Sequence, residues 1–171
     1  MACRSPVILK AVLVIAASVA LAGCPGESEP TKTKVAATPT ANSIAGKSWI
    51  EPLDTTPPER WLASREAGTD LAATAPAVAE WGAVLADADA RFDETPRMIA
   101  NRTVQLEAML REIGIAMSVR ELLRDFATLA DTGARRGFSD LCQHYYNLRA
   151  RGDDGSAALA ALREPSPVPT P

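Results

Sequence analysis

One histidine and three cysteines in 171 residues leave little room for metal or nucleophilic chemistry. A zinc site takes three or four imidazole or thiolate ligands, and His144 with a spare thiol cannot supply them. No alternating apolar pattern runs long enough for a half-buried strand, and no 34-residue self-similarity suggests a helical repeat. Basic residues are also in deficit, 18 against 21 acidic, for a formal charge of −3. A nucleic-acid partner would call for clustered lysine and arginine, so that class is excluded. Aromatics make up only 5% of the chain, so each one matters to the core.

The N-terminus is the most specific stretch. Arg4 and Lys10 flank an apolar run over 11–22, the layout of an export signal. A run of about 12 residues is too short to span a ~30 Å hydrocarbon layer as a helix. Leu21-Ala22-Gly23-Cys24 follows: one aliphatic residue, two small ones, then cysteine. This motif resembles the lipobox of bacterial lipoproteins. The resemblance implies cleavage between Gly23 and Cys24, a diacylglyceryl group on the Cys24 sulfur, and fatty acylation, such as palmitate, of the new amine. It also implies export, with the domain facing the periplasm. Pro25 follows Cys24 in place of aspartate, which in the family's sorting rule favours the outer membrane. Without residues 1–23 the charge is −5, so the acyl chains and not electrostatics would hold the membrane. Cys3 then leaves with the signal and Cys24 is consumed by lipid. Cys142 is left without an intramolecular partner, and it is expected to be buried.

Composition divides the rest. Residues 24–47, from the lipidated cysteine on, are rich in Pro, Thr, Ser and Lys and read as a flexible, disordered tether. A coil of that length has an r.m.s. span of roughly 25 Å. Residues 164–171 place proline at every second position and read as a disordered tail. The intervening 48–163 are helical in pattern. Thr56-Pro57-Pro58-Glu59 predicts a capping box that opens a short helix with Trp61 and Leu62, ended by Gly68. Pro76 starts a helix with Val78, Trp81, Leu85, Ala88 and Phe92 on one stripe. Thr95-Pro96 starts the next, with Ile99, Leu106, Met109, Leu110 and Ile113 inward and Gly114 as terminator. Ser118 to Glu121 is a second capping box, opening a helix that buries Val119, Leu122, Leu123, Phe126 and Leu129. A helix from about Ser139 carries Leu141, Cys142, Tyr145 and Leu148, and Ser156 is expected to cap a last short one. Short connections favour antiparallel neighbours. The expected fold is all-α, a small antiparallel bundle of about four to six helices.

Several motifs weigh less than they look. Residues 41–48, ANSIAGKS, fit a relaxed phosphate-loop pattern, but tether precedes them and Pro52 blocks a following helix. Asp87, Asp89, Asp93 and Glu94 lack the glycine of a calcium loop and include Arg91 among them, so a solvated helix face is expected. Arg135-Arg136 is expected to be a solvated loop. Cys142 and His144, two apart on a helix, point about 200° from each other and form no thiolate–imidazole pair. Asp140, one turn from His144, is placed to orient its ring. Tyr146 lies about 100° from the core-facing Tyr145 and offers an aromatic contact. Trp49 and Ile50, with Leu53, form an apolar cluster after the tether that is either a lid on the bundle or a partner surface.

These readings lead to a non-enzymatic, lipid-anchored periplasmic adaptor that needs no metal or cofactor. It touches the membrane through the acyl chains on Cys24 and a protein partner through Trp49, Ile50 and Tyr146. Two alternatives remain: a small-ligand or lipid carrier opened between helices, and a hydrolase with a groove near His144. Thr95-Pro96-Arg97-Met98-Ile99-Ala100-Asn101-Arg102 resembles accessory lipoproteins of bacterial methanol-oxidation systems, which makes such an accessory role a further alternative. That resemblance assigns no site residue.

Overall fold

Six helices and one clamped N-terminal strap make up the described part of the molecule, residues 43–163 of a computed structural model. The expectations for the signal, Cys24 with most of the tether, and the proline-rich tail concern residues outside that range. Helix α1 spans Pro58–Ala67, α2 Pro76–Arg91, α3 Pro96–Glu112, α4 Val119–Ala127, α5 Phe138–Ala150 and α6 Gly155–Arg163. The fold is an all-α small bundle, and α3 is its hub, packed against α1, α2, α4 and α5. The described residues contain no helix long and apolar enough to cross a membrane.

Local signals set most helix ends. Proline opens α1, α2 and α3, where its missing N–H costs nothing. Gly68 closes α1 at φ 68°, a left-handed conformation that suits glycine, and its N–H donates to Arg65 O. Ser118 and Glu121 close the expected reciprocal capping box at α4. Two expected caps are wrong. Pro57 is the N-cap of α1 and Thr56 does not cap it; the Thr56 hydroxyl receives Lys47 Nζ at 3.2 Å instead. At α6 the capping oxygen belongs to Asp154, which accepts Ala157 N at 2.8 Å and Ser156 Oγ at 2.7 Å.

The core uses the few aromatics fully. Trp61, Trp81, Phe92, Phe126, Phe138 and Tyr145 are all buried, and Trp49 and Tyr146 are the two left partly accessible. Phe92, Phe126, Phe138 and Tyr145 form an edge-to-face chain with centroids 4.9, 5.6 and 5.3 Å apart. That geometry contributes beyond simple burial, and it ties the end of α2 to α4 and α5. Ile113, expected to point inward, is 38% exposed because α3 ends at Glu112 and the chain turns out through Gly114. A single parallel bridge, Phe92 with Arg136, is the only strand-like pairing among the described residues.

Candidate functional site

The strap, residues 43–57, is where the structure departs most from a linker. Residues 43–47, assigned by composition to the tether, are docked on the bundle. Ala45 is buried and its N–H donates to Asp70 Oδ1 at 2.8 Å, and Trp61 Nε1 donates to Lys47 O at 3.1 Å. The glycine–lysine segment that mimics a phosphate loop is thus a turn, with Gly46 N donating to Ser43 O, and no helix follows it. Asn101 of α3 pairs with both backbone groups of Ile50 at 3.0 Å. Arg97 reaches three strap carbonyls: Nη1 donates to Glu51 O at 3.1 Å, and Nη2 to Asp54 O at 2.8 Å and Thr56 O at 3.2 Å. Lys47 and Asp54 form an ion pair across the turn, and the ammonium holds the Asp54 carboxyl far below the usual carboxylate range. Arg97 and Asn101, near the start of α3, are therefore a clasp for the strap.

This placement corrects the partner assignment at Ile50. Its side chain is 0% exposed and belongs to the core cluster, so the lid reading holds there and Ile50 offers no surface to a partner. Trp49 is half-buried. Leu53, by contrast, is 95% exposed. Tyr146 is partly buried against the core and lies on a different element from the strap.

Two clefts open among α1 to α4. The first, about 400 Å³, has Leu62, Trp81 and Val119 beneath a charged rim. Arg65 Nη2 and Glu107 meet at 2.7 Å, with Arg111 sharing the same carboxylate at 3.4 Å. Arg120 holds Glu66 with two hydrogen bonds at 2.9 and 2.7 Å, lies 4.2 Å from the centroid of the Trp81 ring, and Trp81 Nε1 also donates to Glu66 at 2.8 Å. Arg120, then burial acting against it, then Trp81 set the Glu66 carboxyl, and the balance lies below its ordinary value. The second, about 420 Å³, runs between α2 and α4 and is walled mainly by Val84, Ala88, Leu123 and Ala127.

The α5–α6 side resolves the remaining candidates. Asp140 and His144 border one cleft of about 220 Å³ with Arg136 and Leu162, but no hydrogen bond joins them. Cys142 is buried, and that burial pushes its thiol well above the ordinary range. A protonated, enclosed thiol is a poor nucleophile. Among the described residues no cluster of histidine, cysteine and carboxylate has metal-site geometry.

Two expectations of solvated charge fail here. Glu94 accepts Phe138 N at 2.7 Å and Ser139 N at 2.9 Å, and so caps α5 from 44 residues earlier in the chain. Gly137 at the N-cap has no side chain to do so. Arg136 donates to Leu129 O at 2.8 Å and Leu162 O at 3.2 Å, joining the chain after α4 to the end of α6. Arg135, at φ 53°, does stay at the surface and pairs with Asp93 at 2.9 Å. Asp87 pairs with Arg91 one turn on.

Comparison with known proteins decides the family. The MoxZ family model matches residues 59–167, from the second residue of α1 through all six helices. This chain is a member of the MoxZ family. It is similar to Protein MoxZ of Paracoccus denitrificans, 29% identical over 161 residues that cover 93% of this chain and 94% of that protein. The alignment leaves about a dozen residues of this chain uncovered, so it takes in the strap, the clasp and the position of Cys24. The family match thus covers the bundle itself, and residues 97 and 101 and the α2–α4 groove fall inside its range. No solved structure matches.

Proposed function

We propose that this protein is a non-enzymatic accessory component of a periplasmic methanol-oxidation system, anchored to the membrane through Cys24 and acting by binding a protein partner there. Membership of the MoxZ family across the whole bundle is the observation that carries this reading, together with the resemblance of residues 95–102 to accessory lipoproteins of such systems. The lipobox over 21–24 supports anchoring, and Pro25 favours the outer membrane. Two or more acyl chains hold a protein stably at a bilayer. Confinement then raises the domain's effective concentration for partners at the same surface without adding a contact.

The alternatives are less well supported. A hydrolase centred on His144 would need converging groups, whereas Asp140 and His144 share a cleft without a hydrogen bond and Cys142 is buried. For a carrier, the space between helices is occupied by six buried aromatic rings, and the larger volumes are surface clefts.

The test is a gene deletion in the bacterium that encodes the protein. Growth on methanol and methanol-oxidising activity in the periplasm are expected to fall, with growth on succinate unchanged. Re-expression of the wild-type chain should restore both. Cys24→Ala should move the protein from the membrane to the soluble fraction and restore growth poorly. Unchanged growth on methanol after deletion would overturn the reading.

A further inference from the structure

Leu53 is the most exposed large apolar side chain among the described residues, yet the backbone of its turn is fixed by several hydrogen bonds. Asp54 N donates to Glu51 O at 3.0 Å to close the turn, Pro52 stiffens it, and Arg97 and Lys47 fix it from outside. A loose loop would let a leucine fold back onto the surface; this one presents it. Ordering the turn in advance lowers the entropy lost on docking. Glu51, two residues away, is exposed and enters no ion pair among the described residues.

The α2–α4 groove has the opposite character. Its walls are apolar, with Ala83 and Val84 partly open to solvent. Of its three charged rim residues, Asp87 is tied to Arg91 and Arg120 to Glu66. Arg124 is exposed and forms neither a hydrogen bond nor an ion pair among the described residues. One surface of the chain thus offers a rigid leucine beside a free carboxylate. Another offers an apolar groove beside a free guanidinium.

We propose that Leu53 of one copy seats in the α2–α4 groove of a second copy, with Glu51 meeting Arg124 across the contact. The two surfaces differ, so the contact is heterologous. One buried leucine with a rim ion pair makes a weak contact. It gains strength when copies share a membrane face, and in that respect alone it rests on the anchoring proposed above.

Directed disulfide formation between full-length chains tests it. Two differently tagged copies are co-expressed, one with Leu53→Cys and the other with Ala83→Cys, and mildly oxidised. A mixed-tag dimer should form in several-fold higher yield than from Leu53→Cys with Ala160→Cys, an exposed position on α6. Adding Glu51→Arg to the first chain should cut that yield several-fold, and adding Arg124→Glu to the second should restore it. None of these positions lies in the core, so the variants keep the fold. A yield equal to the Ala160→Cys control, a dimer insensitive to the charge swap, or cross-linking of the Leu53→Cys chain only to another protein would overturn the proposal. Fractionation of the same cells reports on anchoring separately: soluble chains that still cross-link lose the anchor and keep the contact, and membrane-bound chains that do not cross-link do the reverse.

Discussion

Asn101 holds Ile50 by both ends of its amide: Nδ2 donates to Ile50 O and Oδ1 accepts Ile50 N–H, each at 3.0 Å across 51 residues of chain. The pairing satisfies a buried strap segment that has no secondary structure to do so, and the Ile50 side chain joins the core.

Asn101→Leu therefore strands two buried backbone groups at once. Each unsatisfied group costs about 1–3 kcal/mol, so urea denaturation should show a loss of about 2–6 kcal/mol with the m-value nearly unchanged. A variant as stable as the parent would mean that the strap does not depend on this pair.

The Glu94 carboxylate serves α5 as its missing N-cap, bonding two N–H groups that the Gly137 position cannot reach. Glu94→Ala should cost about 0.5–2 kcal/mol, the usual range for a lost cap. Asp89→Ala, an exposed acid on the neighbouring helix, should stay within about 0.5 kcal/mol. Equal effects from the two would return Glu94 to the solvated face.

Acid should unfold the bundle through a defined set of carboxyls. Asp54 is held low by Lys47, Glu66 by Arg120, Asp70 by the Ala45 N–H, Glu121 by the Ser118 N–H and Asp154 by the Ala157 N–H. Each lowered folded value means that the unfolded chain takes up the proton first. Their stabilisation is thus fully present above the ordinary carboxylate range near pH 4 and is lost as pH falls through and below it. Thermal midpoints measured from pH 7 to pH 2.5 should decline below about pH 5. Asp54→Asn should lower the midpoint at pH 7 and make the acid decline shallower. A midpoint that rises on acidification would contradict these assignments.

Cys142 should resist thiol reagents in the folded protein, because burial keeps it protonated and out of reach. Peptide mass spectrometry after maleimide treatment at pH 8 should find it unlabelled in buffer and fully labelled in denaturant. Rapid native labelling would show that the small cleft of about 60 Å³ between α3 and α5, which Cys142 helps to line, admits the reagent.

The helix positions were legible because their signals are local. Pro58, Pro76 and Pro96 open helices, Gly68 and Gly114 end them, and Ser118 with Glu121 forms its box within four residues. The two misplaced caps differ in kind: at α6 the Asp154 carboxylate takes the place of the Ser156 hydroxyl, whereas at α1 Pro57 is an N-cap with no side-chain bond and the Thr56 hydroxyl accepts from Lys47 Nζ. At the candidate site, Trp49 and Tyr146 were legible as the aromatics left partly in solvent, but Ile50 was not distinguishable from them by sequence alone. Leu53 appeared as one member of an apolar cluster, with nothing to say that it alone would stand clear.

The sequence by itself determined the helical class and the approximate span of each helix, because periodicity, prolines and caps act within a turn or two. What only the tertiary structure decided is which polar side chains are committed to the fold and which are free. Glu94 and Arg136 read as solvated and no sequence pattern marked Asn101 or Arg97, yet each satisfies backbone groups far away along the chain. The side chains of Glu51 and Arg124, equally unmarked in the sequence, form no hydrogen bond or ion pair among the described residues. The difference arises because a backbone N–H or carbonyl needs a side-chain partner only where packing has removed its water.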